Sequence, residues 1–369
     1  MSVTIPHQLY TAEDLLGGFN PWDPMGYALS HDFSIYREFV ANGGPLPASL
    51  AISAEQAAHD AAMADALRGF LKTVQRPLVG IMGGHSLPRN HPAYAAIAHL
   101  ARDLARAHFL LVTGGGPGVM EAGHLGVAFS SFDTAGPLDD AIAQMGKVPK
   151  APELDELFAA DWTIKEEKLG AIAQARDWLK ISLEVRAKAP AILPVSLAIP
   201  TWIYGAEPTM PFATHYAKYF QNSLREEALV NNSRAGIIYG RGGGGTIREI
   251  FQDVERNYYV KKLKQLTPMI FFDRDDYWRV DPDIGATGAT KPGIKVDPMV
   301  RNILTFGLVS PDRSKEEVDA CLDQKLLFTT DHATIIAALR EHEETSQRNL
   351  TFALAAEPLK ISTLRMNRR

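Results

Sequence analysis

Cysteine is almost missing from this chain, with Cys321 its single instance. A lone thiol excludes an intrachain disulfide and any zinc site built from clustered cysteines, and it fits a reducing compartment. Long hydrophobic runs are scarce as well. The stretch closest to membrane length, residues 189–206, carries no formal charge but is interrupted by Pro190, Pro194 and Pro200. Three prolines would deprive a spanning helix of too many backbone bonds, so a short buried strand over 195–199 is predicted there instead. The opening MSVTIPHQLYTAEDLL has no basic n-region and no apolar h-region, and the expectation is a cytoplasmic chain with no membrane partner.

Charge of one sign is also sparse. Lys+Arg 38 against Asp+Glu 43 leaves a net charge of −5, and no run of five or more like charges occurs. This excludes a dedicated surface for a nucleic acid polymer and favours a small-molecule ligand. No segment repeats with a fixed period, which excludes a solenoid. The histidines form neither HExxH nor another helical ligand pair, so no metal site is expected.

What is present reads as an ordinary globular composition, 46% hydrophobic and 22% charged over 369 residues, enough to bury a real core. From residue 76 onward, short apolar runs at 78–82, 109–113, 195–199, 236–239, 269–272 and 326–328 alternate with helical periods. The helical patterns cover about 93–107, 119–129, 247–262 and 333–342. That rhythm predicts a doubly wound, mainly parallel, Rossmann-like α/β sheet with helices on both faces. Residues 1–75, with turn-rich text and a helix at about 53–72, are expected to form an N-terminal accessory segment. Residues 133–190, with a charged helix at about 164–188, are expected to form a helical insertion in the main domain of 76–342. Residues 343–369, ending on Arg365, Arg368 and Arg369, are expected to form a solvated tail.

Three glycine turns follow predicted strands and precede predicted helices: Gly83-Gly84-His85-Ser86, Gly114-Gly115-Gly116-Pro117-Gly118 and Gly242-Gly243-Gly244-Gly245-Thr246. Such turns gather at the carboxyl ends of strands, where glycine lets backbone amides approach an anion and a helix amino end adds partial positive charge. The alternative is that they are only tight strand-to-helix turns. No turn holds the Walker A lysine, which argues against a P-loop NTPase. Gly84-His85-Ser86-Leu87-Pro88 misses the nucleophile elbow GxSxG by its last residue. Gly240 to Gly245 satisfies GxGxxG, with Asp273 later than a ribose-binding acid should fall, so a dinucleotide-dependent oxidoreductase stays a lesser alternative.

Thr246-Ile247-Arg248-Glu249 fits a capping box, with Thr246 at the N-cap and Glu249 at N3. The same placement sets a carboxylate beside phosphate-binding amides, where it could hold a sugar hydroxyl or a water. Arg225, read alone, is a solvated helix charge.

Together these segments resemble the LOG (Lonely Guy) family of nucleoside 5'-monophosphate phosphoribohydrolases. The family pattern PGGxGTxxE is matched by Arg241-Gly242-Gly243-Gly244-Gly245-Thr246-Ile247-Arg248-Glu249 in all but the proline, which Arg241 replaces. Val112 to Ala122 (VTGGGPGVMEA) resembles the family's first glycine motif. Gly83-Gly84-His85-Ser86 and Ala206-Glu207-Pro208 look more specifically like the bacterial pyrimidine/purine nucleotide 5'-monophosphate nucleosidases. The likeness spans about 76–342 and leaves the amino-terminal segment outside. Glu226 stands where many members carry lysine, and the insertion changes what surrounds the pocket.

The resemblance implies hydrolysis of the N-glycosidic bond of a nucleoside 5'-monophosphate to free base and ribose 5-phosphate, without metal or cofactor. It implies Arg225 and Glu249 as catalytic residues. It implies Gly84, Ser86, Gly115, Gly116, Gly118, Met120, Gly242, Gly243, Gly244, Gly245 and Thr246 as substrate and phosphate contacts. A homo-oligomer is expected on the same ground. The main alternative is a nucleotide sensor or carrier that uses the same glycine cradle without cleaving anything.

Overall fold

The computed structural model describes residues 5–204, 207–281 and 293–356, the last ten of these as backbone only. Three helices precede the sheet: α1 (Ala12–Leu16), α2 (His31–Ala41) and α3 (Leu50–Val74). The chain then runs through β1 (Leu78–Met82), α4 (Pro92–Arg106), β2 (Leu110–Thr113), α5 (Val119–Ala128), α6 (Gly136–Met145), α7 (Leu169–Arg186), β3 (Leu197–Ala198) and β4 (His215–Tyr216). It continues with α8 (Asn222–Asn232), β5 (Gly236–Tyr239), α9 (Gly244–Tyr258), β6 (Met269–Phe271), α10 (Asp297–Leu308), α11 (Lys315–Lys325), β7 (Leu326–Phe328) and α12 (His332–Ala356).

The seven strands form one sheet in the order β4-β3-β2-β1-β5-β6-β7, and every pair is parallel. Parallel strands need crossovers, and the helices that make them cover both faces, so the strands read as unbroken apolar runs. The strand side chains alternate between the two faces. Val79, Ile81, Leu111, Ile238 and Ile270 enter one core with α4, α5 and α7. Met82, Val112, Ile237, Tyr239 and Phe271 enter the other with α3, α8, α9 and α10. This is the doubly wound α/β architecture, and its order reverses between β1 and β5, where such sheets open a ligand crevice.

Local chemistry explains the best-defined elements. Helix α4 starts with proline in its first turn and with the His91 side chain accepting from the Ala93 amide, and it buries Ala93, Tyr94, Ile97, Ala98, Leu100 and Leu104 along one stripe. It lies so close to α5 that a methyl on Gly126 would stand 2.0 Å from the Ala98 carbonyl oxygen.

The amino-terminal region is tied into the sheet rather than appended to it. Tyr10 pairs antiparallel with Tyr216 on the edge strand β4, and Leu15, Tyr27, Phe33 and Phe39 are buried in the first core. Residues 133–190 form α6 and α7, which pack on the same face. Arg89, in the loop after β1, joins them to the sheet. Its guanidinium forks onto Glu121 at 2.8 and 2.6 Å, donates to Ser182 at 2.6 Å and lies 3.9 Å from the Trp178 ring centroid. Helix α12 continues to Ala356, so residue 343 falls inside a helix rather than at the start of a tail. The basic cluster at Arg365, Arg368 and Arg369 lies outside the described residues. No helix among the described residues is long and apolar enough to cross a membrane.

Candidate active site

The carboxyl ends of β1, β2 and β5 all run into glycine turns, and the turns converge on a cavity of about 300 Å³ at the strand-order reversal. The turn after β1 and the turn after β5 are stitched together, the Gly84 amide donating to the Arg241 carbonyl at 2.8 Å and the Gly240 amide to the Met82 carbonyl at 2.8 Å. Gly118 and Gly242 do not line the cavity. They are glycines because of crowding: a methyl on Gly118 would stand 2.3 Å from the Gly84 carbonyl oxygen, and one on Gly242 would stand 2.0 Å from the Thr246 hydroxyl.

Helix α9 begins earlier than the sequence pattern suggests. Gly243 is its N-cap, no side chain caps it, and Thr246 is its third residue, so the expected capping box does not form. The glycines that look like loop are the helix's first turn. Its consequence is that the amides of Gly244, Gly245 and Thr246 lie where an α-helix has no internal acceptor for them, and these residues line the cavity. Added methyls on Gly243, Gly244 or Gly245 would meet nothing within 4 Å, so the space over this turn is open.

Starting the helix at Gly244 also turns Glu249 inward, on the buried stripe of Thr246, Glu249, Ile250, Asp253 and Asn257. Its carboxylate sits 3.4 Å from Nη1 of Arg225. Burial pushes the Glu249 carboxyl up to about 7, Arg225 opposes that rise and the neighbouring Glu226 adds to it. Arg225 is not a solvated helix charge: it is 7% exposed, and its Nε donates to the Ile199 carbonyl at 2.9 Å. A methyl on Gly114 would come within 2.0 Å of Arg225 Nη2, so the absence of a side chain at Gly114 is what admits the guanidinium. Glu226 points elsewhere, holding Arg248 at 2.7 Å and accepting from Asn222 at 2.8 Å.

Gly84, Ser86, Gly115, Gly116, Met120, Gly243, Gly244, Gly245 and Thr246 all line the cavity with Arg225 and Glu249. Two amides expected to be available are already used. Gly84 gives its amide to Arg241, and Gly115 gives its own to the Thr113 hydroxyl at 3.0 Å. Residues 133–190 contribute nothing to this wall. The far side is built instead from the segment after β3, including Thr201, Tyr204, Glu207 and Thr209. Glu207 lies against the second glycine turn, where a methyl on Gly116 would meet its Oε2 at 2.5 Å. Burial raises the Glu207 carboxyl, with His85, 3.5 Å away, acting in the opposite direction.

The sequence reading also missed what lies beneath. Lys218 lines the cavity floor and is 2% exposed, its ammonium held by Asp32 of α2 at 2.7 and 2.9 Å. Asp32 further accepts from Trp202 Nε1 at 3.0 Å and from the Thr209 hydroxyl at 2.5 Å. From α3, the Asp60 carboxylate accepts the Phe220 and Gln221 amides, each at 2.9 Å, immediately before α8. It thereby satisfies donors at the amino end of the helix that carries Arg225. Spacing along the chain could not reveal these pairs, because 186 residues separate Asp32 from Lys218. Among the described residues no group of three or more His, Cys, Asp or Glu side chains is arranged to hold a metal ion. No protein-family model matches the sequence, and a search of curated proteins finds no match.

Proposed function

We propose that the chain hydrolyses the N-glycosidic bond of nucleoside 5'-monophosphates, releasing free base and ribose 5-phosphate. The observation that carries this reading is the pairing of Glu249 with Arg225 in a glycine-walled cavity that a helix amino end faces. The open first turn of α9 is suited to the phosphate, since its amides and the positive end of the helix both favour an anion. With the phosphate seated there, the sugar lies beside Glu249 and the base is directed toward the wall that contains Tyr204 and Glu207.

In the reaction the bond from C1' to the base nitrogen breaks and a bond from C1' to a water oxygen forms. One water proton is lost to a base, and the departing base gains one. The sugar passes through an oxocarbenium-like state, which the Glu249 carboxylate stabilises while it orients the water. A carboxyl poised near neutral pH suits both accepting and returning a proton. Arg225 is fixed on one edge by the Ile199 carbonyl, which leaves the rest of its guanidinium to hold Glu249 and the substrate. The resemblance to the LOG family supports the same assignment through the matching order of glycine turns, arginine and TxxE carboxylate.

The test is incubation of the purified protein with AMP, GMP, CMP, UMP and their deoxy forms, followed by chromatography. Base and ribose 5-phosphate are expected from at least one, and Glu249→Gln should lower turnover by about 10²-fold or more while nucleotide binding stays within a fewfold. Arg225→Ala should lose binding, turnover or both. Nucleotide binding without base release would turn the reading toward a sensor or carrier.

A further inference from the structure

The second large cavity lies at the other end of the sheet, beneath the amino ends of the strands, and has a volume of about 1150 Å³. Its walls come from the carboxyl end of α3, the residues entering β1 and β5, the segment before β6 and the helix α12. Five cationic side chains line it, Lys72, Arg76, Arg234, Lys262 and Lys264, against one carboxylate, Glu343. Elsewhere in the molecule cations are commonly matched. Here Lys72, Arg76, Arg234 and Lys262 have no carboxylate within ion-pair distance among the described residues. Arg76 is oriented by the protein, donating from Nε and Nη2 to the His108 and Phe109 carbonyls at 3.1 Å each.

His342 lines the same cavity and is 3% exposed, so it closes the wall while the lysine and arginine side chains supply the charge. The protein as a whole is net negative, so this is a local concentration of positive charge in a concave setting rather than a basic face for a polymer.

We propose that this cavity is a binding site for a small polyanion carrying several phosphate groups, distinct from the glycine-walled site. Lys72 and Lys262 supply ammonium groups to it, while Arg76 and Arg234 present planar guanidinium groups. A single phosphate would leave most of the excess charge unbalanced, whereas a polyphosphorylated ligand would match it.

The experiment is calorimetric titration of inorganic tripolyphosphate into the full chain, with two variants in parallel. Lys72→Glu/Lys262→Glu reverses two exposed charges of this cavity, and Gly245→Asp places a carboxylate over the α9 amino end. Circular dichroism confirms that both are folded. The expected result is binding that survives in Gly245→Asp with its affinity unchanged within a fewfold and weakens at least tenfold in the lysine variant. Binding that disappears in Gly245→Asp and is untouched in the lysine variant would overturn the proposal, and so would no binding to the wild-type chain. Because the two variants address separate cavities, failure of this site and failure of the glycine-walled site give different outcomes.

Discussion

Glu249 combines a buried carboxyl, an arginine at 3.4 Å and a second acid nearby, and the balance among them makes a prediction with a definite sign. Its carboxyl titrates near 7 in the folded chain against an ordinary value of 4.5. Between those values the unfolded chain has released the proton and the folded chain retains it, so this group's contribution to stability falls as pH rises from about 4.5 to 7 and is flat above. The total is on the order of 3 kcal/mol. Denaturation of wild type and Glu249→Gln across pH 5 to 8 should therefore show the difference moving in favour of the glutamine variant as pH increases. A difference independent of pH would mean that Glu249 titrates normally. Catalysis should run the other way if the ionised carboxylate is the working form, with turnover dropping as pH is lowered through about 7.

Gly114 makes a second prediction at the same scale. The methyl of Gly114→Ala would occupy the place of the Arg225 guanidinium and must expel it. Turnover is expected to fall at least tenfold while the circular dichroism spectrum is retained. Kinetics equal to wild type would show that Arg225 does not work from the position it holds.

Among the elements, α8 shows how the Arg225 side chain is aimed by a residue far from it in sequence. No side chain of its own caps α8 at Gln221, and Asp60 accepts the two amides that precede it. Asp60→Asn keeps the shape but replaces one acceptor oxygen with a donor facing a buried amide. The expected cost is about 1 to 3 kcal/mol in chemical denaturation, with a lower kcat/KM because Arg225 shifts with its helix. Unchanged stability would mean that α8 is positioned by packing alone.

The elements also show what the sequence could and could not disclose. Six of the seven strands were readable because a parallel strand covered on both faces is a short apolar run, as in 236–239 and 326–328. Strand β4 was not, since its two residues His215–Tyr216 carry no such run and owe their pairing to β3 and Tyr10. The start of α9 was misplaced because glycine reads as a turn residue, whereas here four consecutive glycines cross from turn to helix. That shift of a few residues changed Glu249 from a cap to a buried carboxyl. Arg225 was singled out only through the family resemblance, because beside Glu226 and Glu227 it reads as one more helix charge. Lys218, Asp32 and Asp60 offered no local signal at all: a buried charge is recognised by its partner, and the partners lie on the far side of the chain.

For the molecule as a whole, the region outside the family resemblance builds part of the site. The amino-terminal helices supply Asp32 beneath the cavity floor and Asp60 at the head of α8, so the glycine-walled domain is incomplete without them. In refolding from denaturant, far-ultraviolet ellipticity is expected to return before nucleotide binding, because local helices form ahead of pairings between distant residues. Simultaneous recovery of both signals would indicate that the amino-terminal pairings form together with the sheet.

The Asp32 to Lys218 pair spans 186 residues, and this separation bears on synthesis. During translation Asp32 and Asp60 leave the ribosome well before residues 218–221 exist to receive them. Two acidic side chains must then wait in water, where they are well solvated, for a lysine and a pair of amides. At roughly 5 to 20 residues per second the wait lasts on the order of ten to forty seconds. The binding cleft therefore closes as a late event on the ribosome, set by the arrival of the second half of the chain.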